Sequence, residues 1–378
     1  MYLPVSEKER RRSALRERMR KEGLDAILVI GDSAKSGIRG TGSFRYLTDF
    51  FIYFNYSLLL SFIEADPVML VPTENSRYWA SKRSWINEVR LSRHYPSDIV
   101  NILKEKATHG RLGLTVIEAF PPSLYQYLQE NIPTWELIDA SPILFDLRFS
   151  KSHDEQKLLK EAAEIVDAGF QAVLKMIRPG TREYEIVGFL EGFHRGHGSD
   201  QTFNLISSGS FPGNGDERFP TLPTYPSGRE IMKGDVICLE MTAVSGGYWN
   251  QLVREVSVGK ENHDLSSFHR AVVKTTQEGV VSMKPDVLTS DFIDSMERAA
   301  KREGFRLTEP LGHYAGLDLV EAPISPGSKL PLRPGTAAIV HPCVSDGKGT
   351  RMFWGQTFLV GENGSTCLNS TNDELVVV

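Results

Sequence analysis

Cysteine is scarce in this chain: three in 378 residues, Cys238, Cys343 and Cys367. Their spacing fits neither a zinc-binding pattern nor a disulfide framework, so a stapled scaffold is excluded and a reduced, cytoplasmic protein is expected. Long apolar runs are missing too. The most apolar early segment, Leu58-Leu59-Leu60-Ser61-Phe62-Ile63, is far too short to cross a bilayer. The charged stretch up to Lys21 carries no signal-peptide core. Nor is there a basic excess: 43 Lys and Arg against 48 Asp and Glu give a net charge of −5. That leaves no footprint for nucleic acid or an anionic membrane. No phosphate loop, dinucleotide fingerprint or serine elbow occurs. What is present is an ordinary globular composition, 40% hydrophobic and 24% charged, on a chain long enough to bury two cores.

Strand-like runs at 24–30, 57–64, 67–71 and 111–116 alternate with helical patterns at 6–22, 99–106 and 122–130. Such alternation predicts an α/β domain over residues 1–146. The texture then changes. A long one-sided helix is predicted over 154–176, stopped by Arg178-Pro179-Gly180, which removes the helical option. Residues 207–228 read as a glycine- and proline-rich loop and a candidate pocket wall. Strands follow at 236–244 and 248–258, helices at 263–283 and 290–303, and closing strands at 337–340 and 355–360.

Glu240 sits inside the apolar run Val236 to Thr242. A buried carboxylate needs a partner, a metal or a raised pKa; on a half-buried strand it simply faces solvent. If Ser245-Gly246-Gly247 turns a hairpin, Glu240 and Gln251 lie opposite each other to within about one residue, close enough to hydrogen-bond. His313 is flanked by Gly312 and Tyr314-Ala315-Gly316, small neighbours that permit close approach. His341 ends an apolar strand and precedes Pro342, which favours extended backbone. Glu240, His313 and His341 supply two imidazoles and a carboxylate. That set suits acid/base catalysis or a single Zn, Fe or Mn ion. Gln251, Tyr314, Trp249 and Trp354 are candidate substrate contacts, core packing being the alternative for the aromatic ones. His194 and His197 have ligand-like spacing but read as solvated residues or as residues backing the site from behind.

The stretch Leu311-Gly312-His313-Tyr314-Ala315-Gly316-Leu317-Asp318-Leu319-Val320-Glu321-Ala322-Pro323 resembles the signature histidine segment of the pita-bread hydrolases, the methionine aminopeptidases, prolidases and creatinase. Other motifs follow in the family's order: Leu147 to Ser152 with Glu155, Lys233-Gly234-Asp235, Gly246-Gly247-Tyr248, His341-Pro342 and Gly355-Gln356-Thr357. The resemblance implies two domains, a creatinase/prolidase-like α/β domain (1–146) and a pita-bread α+β domain (147–378). It also implies a homodimer, since relatives with that amino-terminal domain use it to cover the partner's pocket.

Carried over residue by residue, the family's five metal ligands (two Asp, one His, two Glu) fall at Glu240, Gln251, His313, His341 and Gly355. Only the histidine is unchanged. The family's second histidine falls at Val320, and creatinase's catalytic histidine near Pro223. Two closely spaced dications need carboxylates between them, so a two-metal site is not expected. The cofactor is then one divalent ion (Zn, Fe or Mn) on Glu240, His313 and His341, or none. In the family, however, the Glu240 position serves a different metal from the two histidine positions. The expected function is a hydrolase or lyase acting on a small amino-acid-derived substrate and cleaving a C–N or other bond next to a carbonyl. The alternative is a catalytically silent module that binds a peptide or protein.

Overall fold

A computed structural model describes residues 3–32, 42–106, 109–117, 120–211, 222–259 and 263–378. The chain divides into two compact units: Met1–Phe149 with Gly316–Glu321, and Ser150–Ala315 with Ala322–Val378.

In the first unit, a sheet of β1 (Ala26–Asp32), β2 (Tyr56–Phe62), β3 (Val68–Val71), β4 (Glu88–Leu91), β5 (Gly110–Thr115) and β6 (Trp135–Asp139) runs in the order β4-β3-β2-β1-β5-β6. The central strands are almost continuously apolar and buried, as strands covered on both faces must be. Helices α1 (Val5–Glu22), α2 (Gly42–Thr48), α3 (Glu74–Arg83), α4 (Tyr95–Lys106), α5 (Pro122–Asn131) and α6 (Ser141–Phe149) complete the unit. α1 stops at Gly23, whose φ of 65° is the left-handed conformation that glycine adopts without penalty. β4 and β6 lie outside the sequence expectation. Both are partly exposed edge strands carrying Glu88 and Arg90, or Glu136 and Asp139, so no apolar run announces them.

The second unit opens with α7 (His153–Val173), started by a capping box in which Ser152 and Glu155 bond each other's backbone N–H. Its buried face, including Leu159, Ala163, Val166 and Phe170, packs with α8 (Glu183–Gly196) on a sheet of β7 (Leu205–Ser210), β8 (Asp235–Ser245) and β9 (Tyr248–Ser257). α9 (His263–Ser282) and α10 (Thr289–Arg302) follow, then the short strands β10 (Arg306–Thr308), β11 (Gly312–Tyr314), β12 (Ala322–Pro323), β13 (Ala337–Val340), β14 (Cys343–Ser345), β15 (Arg351–Phe353), β16 (Gln356–Val360), β17 (Ser365–Cys367) and β18 (Val376–Val377). β12-β11-β13-β16-β17 form one sheet, and β18-β9-β8-β7 another.

Part of the predicted loop at 207–228 is strand instead. Residues 205–210 pair with β8 through Ile206↔Leu239 and Ser208↔Ile237, and residues 212–221 lie outside the described residues. Among the described residues no helix is long and apolar enough to cross a membrane, and Cys238, Cys343 and Cys367 are free.

Candidate active site

Strands β8 and β9 are joined by Gly246 and Gly247, with φ of 54° and 90°, a two-residue turn of the kind that needs positive φ at both positions. Ser245 therefore pairs with Tyr248, which puts Thr242 opposite Gln251 and Glu240 opposite Val253. The sequence reading placed Glu240 and Gln251 within about one residue of facing each other. The true offset is two, because the tight turn shifts the register. Since side chains repeat every second residue, the two still share a face as diagonal neighbours. Gln251 Nε2 donates to Glu240 Oε1 at 2.5 Å.

β9 also meets the second sheet, along its edge. Val253 N–H donates to the Gly355 carbonyl at 2.8 Å, and Gly355 N–H returns to Val253 at 3.3 Å. Thr357 Oγ1 accepts from Gln251 N–H at 3.1 Å and donates to the Gln251 carbonyl at 3.0 Å. Beside this junction β11 carries His313, paired with Ile339 of β13, and His341 follows the last residue of β13. The two imidazoles meet edge to face with ring centroids 5.1 Å apart, and Phe353 packs on His341 at 4.9 Å. Gly312 has φ of 133°, and a Cβ there would collide with the Ile339 carbonyl. Only glycine lets β11 approach β13 so closely.

Electrostatics set Glu240 and His341 apart. Burial pushes the Glu240 carboxyl up to about 7, against the lowering effect of the Gln251 amide. Glu240 keeps some exposed surface although its neighbours on β8 are buried. Burial pushes His341 down to about 4, so its ring is neutral at pH 7. Neither ring nitrogen of His341, nor Gln251 Oε1, has a hydrogen-bond partner among the described residues. Buried polar atoms of this kind call for water or a ligand.

The other expected residues sort differently. Tyr314, Trp249 and Trp354 are essentially inaccessible; Tyr314 bonds Thr289 at 2.6 Å, and the Arg254 guanidinium lies 4.4 Å over the Trp354 ring. The structure therefore makes these aromatics part of the packed core, not an open lining. His194 corrects the solvated reading: it is fully buried against Gly169, while His197 is exposed and stacked on Phe193 at 3.9 Å. Among the described residues no group of three or more His, Cys, Asp or Glu side chains is placed to hold a metal ion. The set Glu240, His313 and His341 thus does not form the one-ion site considered from the sequence.

Two further buried residues, Thr357 and Glu255, are not among the candidate site residues. Thr357 locks Gln251 in place but reads as one more β-branched strand residue. Glu255 is buried 3.7 Å from His269. Burial raises the Glu255 carboxyl, while Glu255 holds His269 above its ordinary value despite desolvation.

Comparison with known proteins agrees with this architecture. Residues 157–362 match the model of metallopeptidase family M24, and residues 11–150 match that of the creatinase/prolidase N-terminal domain. An uncharacterized peptidase of Bacillus subtilis is 26% identical over 94% of this chain and 96% of its own length. A Xaa-Pro dipeptidase of Pyrococcus horikoshii is 26% identical over 72% of this chain and 77% of its own. Among solved structures, a Xaa-Pro dipeptidase from Bacillus anthracis superposes with a TM-score of 0.83 at 24% identity, covering 98% of this chain and 100% of that one. The fold is thus a creatinase/prolidase-type α/β domain followed by a pita-bread domain, and the chain belongs to metallopeptidase family M24.

Proposed function

We propose that this protein is an enzyme of the prolidase/creatinase group that cleaves a C–N or other bond next to a carbonyl in a small amino-acid-derived substrate. The reaction site is the junction of Glu240, Gln251, His313 and His341, without the family's usual pair of metal ions. One observation carries the reading: the 2.5 Å hydrogen bond from the Gln251 amide to the Glu240 carboxyl, on the hairpin whose strand β9 is bridged at Val253 to Gly355. A carboxyl fixed this way, with an affinity for protons near neutrality, suits proton transfer to a leaving nitrogen. Neutral His341 offers one donor and one acceptor to orient the carbonyl end of the substrate.

Relatives named as Xaa-Pro dipeptidases make dipeptides the first substrates to try and do not favour the silent-module alternative. We also place the protein in the cytoplasm as a homodimer. The partly exposed Phe51, Tyr53, Phe54, Tyr78 and Trp79 on the first unit support a second copy docking there, which sedimentation would check.

The test is turnover of a panel of Xaa-Pro dipeptides and small N-acyl and N-carbamoyl amino acids by chelator-treated protein. Glu240→Gln keeps the shape and the hydrogen-bond partner, and should lower turnover on the order of 10²–10⁴-fold. Full activity in Glu240→Gln, or no turnover of any panel member by the wild type, would sink the reading.

A further inference from the structure

Gly355 stands where the resemblance puts a metal-ligating glutamate. A Cβ built on it would lie under 3.0 Å from the Val340 carbonyl oxygen, and from both Cα and Cβ of His341. Two of these three atoms are backbone, so no rotamer change relieves the clash. Its backbone is not in the left-handed region, so the missing side chain answers a lack of room and not a turn. The crossing is also held in place. Gly355 is bonded in both directions to Val253, its carbonyl accepts from Arg254 Nη1 at 2.9 Å, and Gln356 pairs with Val340. His341 N–H donates to the Leu311 carbonyl at 3.2 Å. On the hairpin side, the former ligand position Gln251 is committed to Glu240 and Thr357.

We infer that the chain has built itself into the place of a metal ligand: the end of β13, with His341, fills the volume a side chain at 355 would need. The centre therefore takes an organic ligand through hydrogen bonds, and restoring ligand residues does not restore a two-metal site. The buried and unpartnered Gln251 Oε1 and His341 ring nitrogens fit a small molecule that offers both N–H donors and an acceptor, such as an amide. This inference rests on the proposed function only for the location of the site.

The experiment uses the full chain and needs no substrate, so its outcome is separate from that of the activity test. Chelator-treated wild type is titrated with Zn²⁺ and with Mn²⁺ by calorimetry, and its melting temperature is followed with each ion. Gly355→Ala is melted beside Gly188→Ala, a helical glycine whose added Cβ meets nothing within 4 Å. Expected are no stoichiometric binding of either ion by the wild type, and a melting temperature for Gly355→Ala lower by roughly 2–8 °C than that of Gly188→Ala. The triple variant Q251D/H341E/G355E should bind no pair of ions, whether it folds or not. Stoichiometric metal binding by the wild type, two ions per chain in the triple variant, or equal melting of the two alanine variants would each overturn the inference.

Discussion

A single residue without a Cβ decides how His194 is housed. Gly169 on α7 leaves just the space the imidazole of α8 occupies, and the fully buried ring is pushed down to about 4 by desolvation. The sign of the consequence follows. The folded value lies below the unfolded value of about 6.5, so the unfolded chain takes up the proton first. Stability is fully present above pH about 6.5 and falls as the pH drops toward 4, by roughly 1.4 kcal/mol for each unit of depression. His341, displaced in the same direction, adds to the same window. Urea unfolding of the wild type and of His194→Asn between pH 7 and 4 checks this. The variant should show a flatter decline, and parallel curves would count against it. The spacing of His194 and His197 was legible in the sequence, but burial was not, because it depends on a glycine 25 positions away.

At the level of elements, the strands that were legible are those with uninterrupted apolar residues, such as β1, β2 and β3. The two edge strands were hidden by their charges. The β8–β9 hairpin was legible down to its turn, yet the site's register depended on whether the turn has two residues or three. The last segment of the second unit shows another kind of contact that patterns miss. Asp167 on α7 accepts from Ser370 N–H at 2.6 Å, Thr371 Oγ1 at 2.7 Å, Ser370 Oγ at 3.0 Å and Asn369 Nδ2 at 3.2 Å. It thereby straps residues 369–371 to the helix. Asp167→Ala strands these donors, at a cost of about 1–3 kcal/mol for the buried ones. Faster trimming by carboxypeptidase is the expected readout; a tail trimmed at the wild-type rate would show that β18, paired with β9, suffices.

At the scale of the whole molecule, the first unit is not a continuous stretch of chain. Gly316–Glu321 belongs to it through a buried cluster in which Arg148 Nη2 donates to Asp318 at 2.7 Å and Glu321 at 2.8 Å, Arg148 Nη1 to Ser43 Oγ at 3.0 Å, and Gly42 N–H to Asp318 at 2.9 Å. Burial alone would lower the guanidinium's proton affinity, but the two carboxylates outweigh it and hold Arg148 charged. Arg148→Met removes the guanidinium that both buried carboxylates hold, a loss on the order of 3–5 kcal/mol, to be measured by chemical denaturation. An unchanged midpoint would show that the carboxylates find water. The sequence made the family readable, because motif order survives divergence. It could not show this cluster, whose members lie 170 positions apart, or the crowding at Gly355, since a glycine carries no record of what fills its space.

That cluster also sets a clock. Translation at about 5–20 residues per second puts roughly 8–35 s between the emergence of Arg148 and that of its acidic partners. During that interval α6 of the nascent amino-terminal unit holds an arginine without its acidic partners, and the unit reaches its finished form only when most of the second unit has been synthesised.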